Sequence, residues 1–489
     1  MCTSANTSPG RGRSAARRAG VATASLVACL LAAGCAVGPD FHRPATPSSD
    51  SYGPQADPVA TLGAPVDPAW WRFLQSPTLD ALVETGLKNS PSLASARSAL
   101  DQSRDQARAG AGVFFPGVDG GFSALRERST PARLGAAGAA STFSLYTLSG
   151  AVSYAVDLFG GQRRSVESLN AAADRSRYAY GSAYLMLTGN IADAAIARAG
   201  YADQATAFTD IVRLETDQRD ILAAEEQAGH AAASTVLEAE EQLAADRQSL
   251  ALARQRQAAA ESLLNTLLGR EQADGAPSAP PLAELALPAE FPVVLPSQLV
   301  RARPDVLEAE AGLHQASAEV GVATAAMLPS IDLTGDYGAA QTSLSRLSAP
   351  AGRFWSIGPS INAPIFEGGA LWYGRKAAQA GLAKAEADYR QTVLSALEQV
   401  SDQLGALKAD AEIGEASRSA MDAAALDRRL ADVNQQAGLI ADIDAMAKAV
   451  AADRARIGLA AAKAQQLQDL VGLYVACGGG WTAAARARP

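Results

Sequence analysis

Apolar positions along this chain follow two periods, one of a strand and one of a very long helix. From Tyr146 the side chains alternate, with Tyr146, Leu148, Val152, Tyr154, Val156 and Leu158 on one face and Thr147, Ser149, Ser153 and Asp157 on the other. This predicts a strand with one greasy and one wet face. Gly160-Gly161 ends the alternation, and residues 162–228 then run without a proline. Val166, Ala173, Tyr180, Leu187, Ala194, Tyr201, Phe208 and Leu222 keep a seven-residue register, with Glu215 out of pattern. A coiled-coil seam on one helix roughly 100 Å long is the expectation. Such a seam needs neighbouring helices to cover it.

The neighbours are legible in the same way. A helix over 92–115 precedes the strands, and a return helix over 230–268 follows the turn at Gln227-Ala228-Gly229. Laid end to end, the two shorter helices are about as long as the long one. Strands are expected near 117–125, 145–158, 330–338 and 355–366, with a polar loop over 126–142. The whole plan then repeats. Pro91 to Pro116 and Pro304 to Pro329 are equal spans, and so are Gly229 to Gly269 and Gly438 to Gly478. Phe366 takes the place of Phe159, and Gly368-Gly369 that of Gly160-Gly161. The chain therefore divides into a signal segment 1–34, an extended arm 35–77, a first repeat 78–274, a Pro-rich connector 275–297, a second repeat 298–481 and a tail 482–489.

Composition narrows the class. The net charge is −9 and no basic block follows the first twenty residues, which speaks against nucleic acid. Arg11, Arg13, Arg17 and Arg18 precede an apolar core from Val21 to Ala33, the layout of a targeting segment. It ends in Leu31-Ala32-Ala33-Gly34-Cys35, a pattern similar to a bacterial lipoprotein cleavage site, with Ala32 in place of the usual leucine. Of four cysteines, Cys2 and Cys29 fall in that segment, leaving Cys35 for lipid and Cys477 alone, so no disulfide framework is expected. His42, His230 and His314 are scattered, and no metal or nucleophile constellation forms. The expected class is no enzyme, with no cofactor beyond covalent lipid on Cys35.

Four one-sided strands cannot close a barrel, and an open edge is not tolerated in lipid. Three copies would supply twelve, an even number suited to an outer-membrane barrel. The fold expected is an α+β membrane protein: a trimeric twelve-stranded β-barrel, four strands per protomer, continued by a long α-helical coiled-coil tunnel, with two internal repeats per chain. A coiled-coil spacer lipoprotein is the alternative, but a spacer has no need of one-sided strands.

Several separated motifs point further. Cys35-Ala36-Val37-Gly38-Pro39-Asp40-Phe41, Trp70-Trp71, Asp157-Leu158-Phe159-Gly160, Leu295-Pro296-Ser297, Arg303-Pro304-Asp305 and Leu473-Tyr474 with Gly478-Gly479-Gly480-Trp481 stand in order along the mature chain. Together they resemble the outer-membrane efflux lipoproteins of the NodT and OprM type, within the wider TolC family. Cys477 departs from that family's usual leucine. The resemblance implies a homotrimeric exit duct for small molecules, lipid-anchored in the bacterial outer membrane and reaching into the periplasm. Its implied partners are a periplasmic adaptor and an inner-membrane resistance-nodulation-division pump; a type I secretion duct for polypeptides is the related alternative. It also implies that the turns at Gln227, Gly229, Gln436 and Gly438 dock the adaptor. Ile443 matches an apolar constriction and Asp444 an acidic ring position, with Asp442 beside them as a further gate candidate. Ala447 stands where a second acidic ring would lie. From the residues alone, Asp442 and Asp444 also suit the first turn of a return helix, where acids complement the helix dipole.

Overall fold

Local sequence sets each element boundary in the computed structural model, which describes residues 36–45, 51–52, 60–62, 69–131, 135, 137–288, 291–293 and 296–481. The signal segment 1–34, Cys35 and the tail 482–489 lie outside the described residues. In chain order come β1 (Ala60–Leu62), a short turn of helix at Trp70–Leu74, α1 (Pro77–Asn89), α2 (Pro91–Gly110), β2 (Gly117–Ser129) and β3 (Ser141–Val156). Next are α3 (Gly161–Gln227), α4 (Ala233–Leu267), β4 (Phe291–Val293), α5 (Pro296–Ala302) and α6 (Pro304–Ala325). The chain ends with β5 (Ser330–Gln341), β6 (Arg353–Asn362), α7 (Ala370–Gln436) and α8 (Asp442–Ala476).

The repeat is reproduced in the helices. Both α3 and α7 have 67 residues, and both α4 and α8 have 35. All four hairpin helix ends close the same way, with a glycine in the left-handed region: Gly229, Gly269, Gly438 and Gly478. At each, the next residue's N–H reaches back to a carbonyl of the last turn: His230 to Glu225, Arg270 to Asn265, Leu439 to Asn434 and Gly479 to Tyr474. This satisfies carbonyls that a helix end otherwise leaves bare.

Several boundaries differ from the sequence expectation. The loop expected over 126–142 is shorter, because β2 and β3 pair out to Ser129 and Ser141. Backbone pairing there tolerates polar side chains that pattern reading assigns to a loop. The strand expected to 158 stops at Val156, where Asp157 leaves the ladder to cap α3: its carboxylate accepts from the Gln162 and Arg163 N–H groups at 3.1 and 3.0 Å. The strand expected to 366 stops at Asn362, before Pro364, which has no N–H to donate. Helix 92–115 is α2 ending at Gly110, followed by a tighter turn at Ala111–Phe114. Residues β1 and β4 pair in parallel, Ala60 opposite Phe291 and Leu62 opposite Val293, joining stretches read only as an arm and a connector. Three residues are too short for a periodic signal.

Two compact units can be distinguished. One contains Met1–His42, Ser103–Ala173 and Gly312–Glu386, and carries the larger sheet. Its strand order is β2-β3-β5-β6, every pair antiparallel. The other unit contains Arg43–Gln102, Asp174–Ala311 and Ala387–Pro489. Its core gathers Trp70, Trp71, Leu74, Ile191, Ile196, Leu264, Leu268, Leu299, Leu467 and Leu470. Within it α4 lies antiparallel along α3, with Arg198 paired to Glu261 at 3.1 Å. Gly86 of α1 lies against both Ile191 of α3 and Leu268, the residue that caps the end of α4. α2 also meets α3, with Gly110 against Leu169.

Candidate functional site

The larger sheet is the first functional surface. Its register places Val118 opposite Val152, Phe122 opposite Leu148, Tyr154 opposite Leu333, Val156 opposite Ile331, Ile331 opposite Ile361 and Tyr337 opposite Trp355. Directly opposed residues share a face, so four separate alternations merge into one apolar surface. It is uncovered: Val118, Trp355, Ile357 and Ile361 are each at least 70% exposed. From the Val156 row to the Leu148 row is about 26 Å of strand, of the order of an outer-membrane barrel's apolar band. The reverse face holds Asp119, Ser123, Thr147, Ser149, Ser153, Asp332, Thr334, Asp336 and Ser356. There Ser356 Oγ lies 3.2 Å from Asp336 Oδ2 and donates to it. Among the described residues, the sheet's outer strands, β2 and β6, have no neighbour on one side.

The helix turns form the second surface, belonging to the other unit. Gln227, Gly229, Gln436 and Gly438 are all exposed. Leu439, at 72% exposure, projects an apolar side chain from the second turn, where the first has His230. Asp442 and Asp444 both occupy the first turn of α8. Gln435 Nε2 donates to Asp442 Oδ1 at 3.0 Å, tying that acid into its own turn, whereas Asp444 is exposed. Ile443 is half-buried, and Gln218 Nε2 of α3 donates to its carbonyl at 3.2 Å. Gln218 was not singled out by sequence; it sits inside a long helix with nothing to mark it.

A third feature follows the lipidation candidate. Cys35 lies outside the described residues, but Ala36 is placed against Gly160 so closely that a Cβ there would strike the Ala36 backbone. Val37 N–H donates to the Phe159 carbonyl at 3.0 Å, and Arg164, buried on α3, pairs with Asp40 and with Glu167. Glu167 also meets His314 Nε2 at 2.9 Å, and Phe41 stacks on the His314 ring at 4.4 Å. The segment after Cys35 is therefore clamped where β3 passes into α3. The second repeat has no such cover: Phe366, the counterpart of half-buried Phe159, is 87% exposed. Equivalence in sequence does not extend to packing here, because among the described residues the N-terminal arm covers the first of the two junctions.

The remaining motifs are packing devices. Arg303 is buried and forks onto both Asp305 oxygens, the Ala476 carbonyl and Gln399. Trp481 Nε1 donates to the Ala302 carbonyl at 2.6 Å, while Phe73 and Trp70 stack on Tyr474. Cys477 fills core at the end of α8. Buried carboxylates are the feature sequence reading missed. Glu215 and Asp246 both accept from Arg454, at 3.1 and 3.0 Å. Burial, with Asp246 nearby, pushes Glu215 up to about 7. Asp410 faces Asp469, and burial and that second carboxylate push it up to about 7; Asp193, buried near Asp469, is also pushed up to about 7. Among the described residues no group of His, Cys, Asp and Glu is arranged to hold a metal, and no helix is long and apolar enough to cross a membrane.

A four-stranded antiparallel sheet with one exposed apolar face, in a chain whose other elements are mainly long helical hairpins, is the pattern of an outer-membrane duct protein. The chain belongs to the outer membrane efflux protein family, which matches residues 82–270 and 295–479. It is 30% identical over 476 residues to the toluene efflux pump outer membrane protein TtgC of Pseudomonas putida, covering 93% of this chain and 94% of that protein. To outer membrane protein OprJ of Pseudomonas aeruginosa it is 29% identical, covering 95% and 97%. The outer-membrane channel OprN superposes with a TM-score of 0.81 at 26% identity, over 91% of this chain and 100% of that one. The protein is an outer-membrane efflux duct with a periplasmic helical tunnel, and not an enzyme.

Proposed function

We propose that three copies close a single twelve-stranded barrel through which small apolar or amphipathic molecules leave the cell. The observation that carries this is the sheet itself. One face is continuously apolar and exposed across all four strands, and β2 and β6 present unpaired edges that lipid cannot satisfy. Closure of β6 of one copy onto β2 of the next keeps every pair antiparallel. The small-molecule reading is supported by relatives named for toluene efflux and antibiotic efflux.

In this reading the duct works with a periplasmic adaptor and an inner-membrane pump of the resistance-nodulation-division class. The turns at Gln227–Gly229 and Gln436–Gly438 are the docking points. Ile443 and Asp444 narrow the pore, with Asp442 held back by Gln435 as a structural neighbour. Repeats 78–274 and 298–481 each contribute one strand hairpin and one docking turn. Cys35 carries the lipid; the clamp on residues 36–41 supports this by fixing the segment that follows it where β3 passes into α3. Native mass measurement in mild detergent tests the assembly. A trimer that recovers an adaptor from the periplasm is expected, and a stable monomer would refute the barrel. Mass spectrometry of the N-terminal peptide tests the anchor: acylated Cys35 is expected, and an unmodified start elsewhere removes it.

A further inference from the structure

The strands of the larger sheet segregate charge by face. Asp119, Glu127, Asp332 and Asp336 all lie on the polar face, whereas Arg126, Arg128 and Arg353 share the register of the apolar one: Arg126 opposite Ser144, Arg128 opposite Thr142 and Arg353 opposite Ala339. All three arginines are exposed. They stand at the loop ends of their strands, Arg126 and Arg128 in the last four residues of β2 and Arg353 at the first of β6. Trp355 and Tyr337, an exposed aromatic pair, follow directly below Arg353 on the same face. A charged side chain facing lipid is tolerated only near the interface, and aromatic rings mark that level.

We propose that these arginines bind the phosphate groups of the phosphorylated glycolipid in the outer leaflet, at the seams between protomers. The inference rests on the barrel reading above. Within one chain β2 and β6 are the two outermost strands, three strand spacings or about 14 Å apart. Barrel closure brings β6 of one copy to about 4.8 Å from β2 of the next. The two arginines of β2 and the one of β6 then converge on the same seam, and the site is incomplete in a single copy. Guanidinium groups suit the ligand, since their planar fork pairs with two phosphate oxygens at once. The loop ends of the strands are opposite the ends of β3 and β6 from which the chain enters α3 and α7, which selects the outer leaflet. Phospholipid of the inner leaflet would meet the other ends of the strands, where this face carries Val156, Ile331 and Ile361 instead.

The test is glycolipid retention by the full-length protein purified from its own membrane in mild detergent. Mass spectrometry counts the bound glycolipid per trimer for the wild type, for R126Q/R128Q/R353Q, for the matching lysine triple, and for R97Q/R108Q on α2 as control. Wild type and control should retain it equally, the glutamine triple should retain about tenfold less or lower, and the lysine triple should fall between. Equal retention by the glutamine triple, or phospholipid in place of glycolipid, overturns the proposal. If the glutamine triple does not assemble, wild-type trimer in nanodiscs decides instead. Its thermal midpoint should be higher with the phosphorylated glycolipid than with the same lipid after its phosphates are removed, and equal midpoints overturn the inference. A monomeric wild type, by contrast, strikes at the barrel reading and not at this site alone.

Discussion

Glu215 occupies the one position of the α3 seam where the seven-residue register calls for an apolar side chain. It is buried there, one oxygen on Arg454 and the other without a hydrogen-bond partner. Its carboxyl, like those of Asp193 and Asp410, is pushed up from the ordinary range to about 7. A carboxyl whose folded pKa is raised binds its proton more tightly when folded. The stability it lends is therefore full below the ordinary carboxylate range and is lost as pH rises through about 7. Thermal unfolding should show a lower midpoint at pH 8 than at pH 5.5, and E215Q with D193N and D410N should flatten that slope. An unchanged slope in the triple variant would show that these groups are not its source. The break in the register was visible in the sequence, but its partners on α4 and α8 are far along the chain and no spacing links them. Arg303 likewise reads only as part of a motif with Asp305, while its contacts with Ala476 and Gln399 emerge from packing.

At the scale of elements, the helices are the most legible part. A seam with a sustained period and a terminal glycine leaves little freedom, and α3 and α7 appear at the same length with the same closing turn. The strands were legible in their faces and less so in their ends, because pairing carries polar residues and because Asp157 and Pro364 act through capping and a missing donor. Two predictions belong here. Arg in place of Val152 or Ile357, which share the middle row of the lipid face, should cost about 2–4 kcal/mol, whereas Arg at Ile361 in the edge row should cost about 0–1 kcal/mol. Outer-membrane yield of heat-modifiable trimer checks it, with S153R on the polar face expected to insert normally. Gly438→Ala has space for its methyl group but must hold a left-handed φ of +72°, a strain of about 1–2 kcal/mol. Faster hydrogen exchange at Leu439, with the α7 interior unchanged, is the expected sign.

The whole molecule is an efflux duct by family and fold, and the proposal that three copies close one barrel rests on the two sheet edges left unpaired among the described residues. The one-sided strands were legible in the sequence, whereas in the proposed trimer the pore is set by side chains that three copies bring together. Conductance of purified trimer in a planar bilayer addresses this most directly. D444N should weaken cation preference if Asp444 rings the pore. Discrete conductance steps are expected from the wild-type trimer and larger ones from I443A. A trimer that inserts yet leaves the bilayer silent in both forms would contradict the proposed pore.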